Sequence, residues 1–301
     1  MKNIKYAVII LNYNTATDAL AAVESVITSA KKNDEYIVCV VDGGSSKIGE
    51  KEILESYKNP YYRFLILDKN IGYARGNNAG VKYIKKEFAP EYIVIMNPDV
   101  LIREQGVISD LISDIVMNPN AVGGQPLVNN VRMRLDPLKQ INIRKVPTYY
   151  DCIIESSVCL KRIFKKKYER TIYKKQMPYT KKILYEVPSG AFFIIETDIF
   201  EKIGYFSEKT FLYQEENILG SRVKNIGKSF IFNPTHMVEH YQGNSTGSHR
   251  KSVSEFSFKC NVDSMLVYAE ECLGVSKFKR MLLKMIMVSD YYLKKWILYK
   301  L

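Results

Sequence analysis

The chain has 301 residues, 47% hydrophobic and 25% charged, with 44 Lys and Arg against 32 Asp and Glu for a net charge of +12. This composition excludes a disordered chain, and the length points to one large core with appendages. The positive excess suggests an anionic partner: nucleic acid, an anionic membrane surface or a phosphorylated small molecule.

The five cysteines, Cys39, Cys152, Cys159, Cys260 and Cys272, form no CxxC pair and share no zinc-like spacing with His236, His240 and His249. They read as reduced thiols of a cytosolic protein. The apolar run Ala7–Leu11 is too short for a signal peptide, and no window reaches the roughly 18 apolar residues a membrane-spanning helix needs.

Ala7-Val8-Ile9-Ile10-Leu11 reads as a strand buried on both faces of a parallel sheet, stopped by Asn12-Tyr13-Asn14. Thr15 or Thr17 can cap a following helix whose stripe is Ala19, Ala22, Val23 and Val26. A second strand, Tyr36–Val41, ends in Asp42-Gly43-Gly44-Ser45-Ser46. A third, Tyr62–Leu67, leads into Asn70-Ile71-Gly72-Tyr73-Ala74-Arg75-Gly76-Asn77-Asn78 and a helix through about Lys86. The fourth, Tyr92–Met96, stops at Asn97-Pro98-Asp99, because proline donates no ladder hydrogen bond and restricts the residue before it. Residues 101–127 read as a helix and then a short strand, Ala121–Leu127.

From Lys139 to Lys182 there are thirteen Lys or Arg against three acids, interleaved with aromatics and without a strong period. This segment reads as a partly mobile insertion that could touch an anionic membrane or acceptor, or be a solvated basic loop. Ile183–Ile195 then reads as strand, small-residue kink at Ser189-Gly190-Ala191, and strand, followed by a helix Asp198–Ile203 that ends at Gly204. Glu215 and Glu216 open another helix, as a plain first-turn acid pair or with one of them as a general base. His240 follows a short strand. Residues 253–301 read as helical, with Phe256, Val262, Leu266 and Ala269 on one packing face; the stretch from Lys277 is basic and amphipathic and suits an anionic membrane or a packing interface.

Strands alternating with helices describe a doubly wound α/β sheet, and right-handed crossovers bring its strand exits to one edge. Asn12, Asp42, the Gly72–Asn78 segment and Asp99 should therefore share one crevice, where open α/β sheets hold their ligands. There Asp42 suits a sugar hydroxyl or base N–H, Arg75 a diphosphate, and Asp99 a divalent metal, unless these residues only make turns and surface charge. The spacing matches neither a GxGxxG dinucleotide fold nor a P-loop.

Together these segments resemble glycosyltransferase family 2, in particular its bacterial rhamnosyltransferase-like branch. The resemblance rests on Leu11-Asn12-Tyr13-Asn14, Asp42-Gly43-Gly44-Ser45-Ser46, Asn70–Asn78, Asn97-Pro98-Asp99, Ser189-Gly190-Ala191, Tyr213-Gln214-Glu215-Glu216 and His240-Tyr241-Gln242-Gly243-Asn244-Ser245, and covers about residues 4–125 and 183–246. It implies a GT-A type, mainly parallel α/β sheet with helices on both faces, plus a basic insertion and C-terminal helices. It implies a catalytic domain over 1–250, comprising a nucleotide-sugar half (1–127), an insertion (128–182) and an acceptor half (183–250), followed by a helical tail (251–301).

The resemblance further implies an inverting, metal-dependent transferase. Asn12, Asp42, Arg75, Asn77, Asn97, Gly190 and Arg222 would contact a dTDP- or UDP-sugar donor. Asp99 and His240 would face a Mg²⁺ or Mn²⁺ ion. Glu216, beside Glu215, would be the base that activates a hydroxyl of a glycan or lipid-linked acceptor. The enzyme would sit in the cytoplasm, peripheral at the inner face of the cytoplasmic membrane, with no nucleic-acid partner and its oligomeric state open. Two departures stand out. Asn97 replaces the first acid of the DxD-type motif, and Glu216 stands where the family has a catalytic aspartate. The second leaves a catalytically impaired sugar-nucleotide binder as the alternative.

Overall fold

The computed structural model describes residues 4–241 and 254–300, the last four by their backbone alone. Gln242–Ser245 of the histidine segment, His249 and the expected boundary at 250 lie outside the described residues. The N-terminal part alternates as expected: β1 (Lys5–Asn12), α1 (Ala16–Ser29), β2 (Glu35–Asp42), α2 (Glu50–Ser56), β3 (Tyr62–Ile66), α3 (Tyr73–Phe88) and β4 (Tyr92–Met96). Next come β5 (Val100–Ile102), α4 (Val107–Met117) and β6 (Ala121–Asn130). The short β5 falls where the sequence suggested only helix, and β6 runs three residues further than the apolar run.

The basic segment folds into three short helices, α5 (Tyr149–Glu155), α6 (Val158–Ile163) and α7 (Lys165–Thr171). Each is below the length at which periodicity can be read, so the sequence showed no pattern there. They are tied down, too: Thr148 and Asp151 form a capping box on α5, and Val158 N–H donates to Asp290 Oδ1 at 3.0 Å. The chain then forms β7 (Ile183–Tyr185), β8 (Phe192–Glu196), α8 (Thr197–Lys202), α9 (Glu215–Asn225), β9 (Ser229–His240), α10 (Glu255–Glu271) and α11 (Lys277–Lys300).

The strands make one sheet in the order β3-β2-β1-β4-β8-β6-β9-β5, with β7 also on β9. β3, β2, β1 and β4 are all parallel, which is the half the alternation foretold. Beyond β4 the sheet is mixed: β8 runs antiparallel to β4 and β6, β6 and β9 are parallel, and β5 and β7 return antiparallel on β9.

Side chains of β1 alternate between two cores. Tyr6, Val8 and Ile10 enter one cluster with α1 and α4; Ala7 and Ile9 enter the other with α3, α8 and α9. Both faces are covered, which is why the run is continuously apolar, and each such buried Val or Ile contributes about 1.5–3 kcal/mol. A third cluster joins Cys152 of α5, Ile218 of α9, Val262, Met265, Tyr268 and Ala269 of α10, and Leu283 and Met287 of α11. Of the packing face expected on α10, Val262 and Ala269 are buried and Leu266 packs against the same cluster, but Phe256 is exposed and meets Phe211 edge-on.

Candidate active site

β1 and β2 end level, with Asn12 in register with Asp42 and both side chains buried. Asn12 Nδ2 donates to Asp42 Oδ1 at 3.0 Å. The same oxygen accepts from the Ser45 hydroxyl at 2.5 Å, and Oδ2 accepts from the Ser45 backbone N–H at 3.0 Å. Asp42 thus folds its own turn, and Oδ2, with one bond, keeps acceptor capacity for a bound nucleoside. Asn12 Oδ1 accepts from the Thr15 N–H and hydroxyl, and Glu50 Oε2 accepts from Ala16 N–H at 2.6 Å. The start of α1 is therefore satisfied by Asn12 and Glu50, not by a Thr15 or Thr17 cap.

The register of β1 with β4 sets the Asn97–Asp99 turn beside this pair. Asn97 N–H donates to Ala191 O at 2.9 Å, and Val100 N–H closes the turn onto Asn97 O at 3.2 Å. Because Val100 pairs with His240 across β5 and β9, and Tyr241 N–H reaches Asp99 O at 2.8 Å, the carboxylate and the imidazole face each other. Asp99 Oδ1 and His240 Nε2 are 3.3 Å apart. Asp99 is 5% exposed and its Oδ1 has no hydrogen-bond partner. A buried, unsatisfied carboxylate oxygen beside an imidazole is a donor pair that fits a divalent cation. No cluster of three or more His, Cys, Asp or Glu exists among the described residues, so a cation there would take its other ligands from elsewhere.

α3 begins where Gly72, at φ +89°, swings the chain past Phe211, and Tyr73 N–H donates to Phe211 O at 2.7 Å. The Asn70–Asn78 segment is therefore helical from Tyr73 onward. Arg75 lies exposed on the first turn with Nε on Glu208 O at 2.9 Å. Asn77 is buried within the helix, its Nδ2 on Tyr73 O at 3.0 Å and its Oδ1 without a partner. Lining a diphosphate pocket is thus open to Arg75 through its remaining N–H groups, but Asn77 is held inside α3. Arg222 is not brought to the crevice: Nη1 donates to Ile203 O at 3.2 Å and Tyr205 O at 3.0 Å, and Nη2 lies 3.6 Å from Glu271 Oε2. It clips α9 to the end of α8 and to α10.

The acid pair is placed by a strained entry. Tyr213 and Gln214, neither of them glycine, both adopt left-handed backbone (φ 75° and 68°) immediately before Glu215 starts α9. Such conformations cost about 1–3 kcal/mol each and persist where a site over-determines them. Gln214 is braced by Asn261 of α10 at 3.0 Å, and Leu212 O accepts from Ser264. Glu215 is buried at 1% exposure, whereas Glu216 is only partly covered and lies against Gly190.

Gly190 is held in turn. Tyr73 hydroxyl donates to its carbonyl at 2.8 Å, and the buried Gln125 accepts through Oε1 from Ser189 N–H at 2.7 Å and Tyr185 hydroxyl at 2.9 Å. So one connected rim runs from Asn12 and Asp42 through Asn97 and Ala191 to Gly190, Tyr73 and Glu216, with Asp99 and His240 beyond Asn97. Sequence reading missed Tyr73, Gln125 and Arg144, which act through contacts distant in the chain.

Burial, and then the charge of Glu216, pushes the Glu215 carboxyl well above the usual carboxylate range. Burial also raises Glu216, partly opposed by its backbone hydrogen bond and then by the Arg144 guanidinium from the basic segment. Both adjacent acids therefore hold a proton more readily than a free glutamate, the kind of perturbation found where a carboxyl takes or gives a proton.

The sequence profile of "Glycosyl transferase family 2" matches residues 7–204. The chain belongs to this family. Among curated proteins, this glycosyltransferase is similar to rhamnosyltransferase WbbL of Escherichia coli, 22% identical over 222 residues, or 73% of this chain and 78% of that one. It is also similar to low-salt glycan biosynthesis hexosyltransferase Agl10 of Haloferax volcanii, 23% identical over 234 residues, 76% of this chain and 66% of the other. The chain thus spans just under two thirds of the second relative.

Solved structures that share the fold include the following two. GalNAc-T7 with UDP, GalNAc and Mn²⁺ superposes with a TM-score of 0.62 at 14% identity, over 89% of this chain and 48% of that chain. TarS residues 1–349 of S. aureus superposes at 0.54 and 13% identity, over 96% and 72%. The sheet and its helices are of the GT-A type.

Proposed function

We propose that this glycosyltransferase inverts the anomeric centre, moving a sugar from a nucleotide-diphosphate donor to a hydroxyl of a cell-surface polysaccharide or lipid-linked glycan precursor. Rhamnose on dTDP is the first candidate donor and a UDP-sugar the second. The observation that carries this reading is the carboxylate of Glu216, lying against Gly190 at a rim whose other members are Asn97, Asp99 and Tyr73. Glu216 takes the proton of the acceptor hydroxyl as that oxygen attacks the anomeric carbon from the face opposite the nucleotide. Glu215, neutral when protonated, keeps a second negative charge away from the base.

Asp99 and His240 would hold a Mg²⁺ or Mn²⁺ ion, and such an ion supplies charge neutralisation for a departing diphosphate. Arg75 adds a cationic side chain on the α3 side. The reading places the enzyme in the cytoplasm, peripheral at the inner face of the membrane, where donor and lipid-linked acceptor meet. No described helix is long and apolar enough to cross a membrane.

Thermal-shift titration with dTDP-, UDP- and GDP-sugars, with and without Mn²⁺, tests the donor assignment. Stabilisation by one sugar nucleotide that needs the cation is expected; no response to any would remove it. The impaired-binder alternative is favoured by the extra methylene at Glu216. Donor binding without transfer or hydrolysis would select it over the enzyme.

A further inference from the structure

α11 has two apolar faces where a helix packed on a protein surface needs one. Its inner face is buried: Leu283 at 0%, Met287 at 5% and Asp290 at 8% exposure, the last accepting from Val158 N–H and pairing with Lys294. On the outer side, Phe278, Met281, Leu282, Met285, Tyr292 and Trp296 recur at three- and four-residue steps, and Phe278 is 69%, Met285 58% and Trp296 56% exposed. Exposed Lys277, Lys284 and Lys295 flank them on the solvent-facing side of the helix, and the helix has Asp290 as its sole acid, turned inward. α6 is hydrogen-bonded to α11, so the exposed Lys165-Lys166-Lys167 run of the adjoining α7 adds to the positive field at this end.

We propose that α11 is a membrane-docking helix that lies in the interface of an anionic bilayer, with Phe278, Met285 and Trp296 in the headgroup–acyl boundary and the lysines on lipid phosphates. An apolar stripe with basic flanks and interfacial Trp and Tyr is the chemistry such a surface binds. A second copy of the chain fits less well, because two stripes flanked by lysines would meet like charge with like. The helix also connects to the acid pair: α11 packs on α10, and α10 braces Gln214 and Leu212 at the entry to α9. Docking would therefore hold the acceptor half of the enzyme beside a lipid-linked substrate. This inference rests on the peripheral placement proposed above, but vesicle binding is read without donor or acceptor, so its failure leaves the transfer reading standing.

The test is co-sedimentation of the full chain with phosphatidylglycerol/phosphatidylcholine vesicles and with pure phosphatidylcholine vesicles, for wild type and two variants. One variant is Phe278→Ser/Met285→Ser/Trp296→Ser and the other Lys277→Gln/Lys284→Gln/Lys295→Gln; all six side chains are exposed. Wild type should bind the anionic vesicles and not the neutral ones. The apolar variant should partition at least about tenfold more weakly, and the lysine variant should lose its preference for anionic lipid. Wild-type protein that ignores anionic vesicles, or an apolar variant that binds them as well as wild type, overturns the proposal. So does a wild-type dimer in sedimentation velocity that the apolar variant dissolves, which would assign the stripe to a second copy.

Discussion

A methyl group on the Gly190 Cα would stand 1.8 Å from Glu216 Oε1. Gly190 does not adopt the left-handed backbone that the chain reserves for other glycines. Glycine is needed there for space, since any side chain would occupy the position of the carboxylate. The atom displaced is the far end of a flexible side chain, so the fold can absorb the change but the acid cannot stay where it is.

Gly190→Ala should therefore leave the melting temperature almost unchanged while turnover falls by about a hundredfold, the scale of an ångström's misplacement of a reacting group. Steady-state kinetics beside a thermal melt checks it; near-normal turnover would mean that the carboxylate works from another position.

Glu216→Gln keeps the shape and removes the base. Turnover should drop by about 10²–10⁴-fold, the usual contribution of a general base, with donor affinity retained by calorimetry. Near-normal turnover would refute the assignment and return attention to Glu215.

The pH profile follows from the same residues. A base acts deprotonated, and burial holds the Glu216 carboxyl above its ordinary value, so kcat/KM should fall as pH drops through a point higher than a free glutamate's. Arg144 opposes that rise, so Arg144→Gln should move the acidic limb to still higher pH. A limb that stays in place would show that the Arg144 charge does not reach Glu216.

Glu215 gives a stability prediction of known sign. Its folded-state proton affinity is raised, so between the unfolded carboxylate value and the raised folded one the native state binds more protons, and stability falls as pH rises through that window. Glu215→Gln removes the penalty. It should melt roughly 2–4 °C above wild type at the alkaline end of the window, with the difference vanishing toward the acidic end. Melts across a pH series decide it.

Asp99→Asn and His240→Gln should each weaken Mn²⁺ binding by about 10–100-fold in the presence of nucleoside diphosphate, measured by calorimetry or manganese paramagnetic resonance. Unchanged affinity in both would locate any cation elsewhere on the rim.

Much of this was legible in the chain. The runs Ala7–Leu11, Tyr36–Val41 and Tyr92–Met96 are apolar without alternation because both faces of their sheet are covered, and their polar exits necessarily share an edge. Asp99 could be singled out from its strand end, whereas His240 was drawn to the site by the family resemblance. The basic segment could not be read, because three helices of six or seven residues carry too few turns to show a period. The roles of Asn77 and Arg222 were also hidden, since neighbours from other elements decide whether a polar side chain faces the crevice or clips two helices together.

By itself, then, the sequence determined the parallel half of the sheet, the crevice at its edge and the types of side chain available there, because strand burial and proline and glycine punctuation are local. Only the tertiary structure decided that β8 enters antiparallel between β4 and β6, that Gln125 and Tyr73 fix the backbone at Gly190, and that Glu216 lies over it. Those outcomes depend on pairings between residues up to about a hundred and twenty positions apart, such as Tyr73 with Gly190. Hydrophobic pattern cannot encode them, since they are set by which buried polar groups find partners once the core has closed.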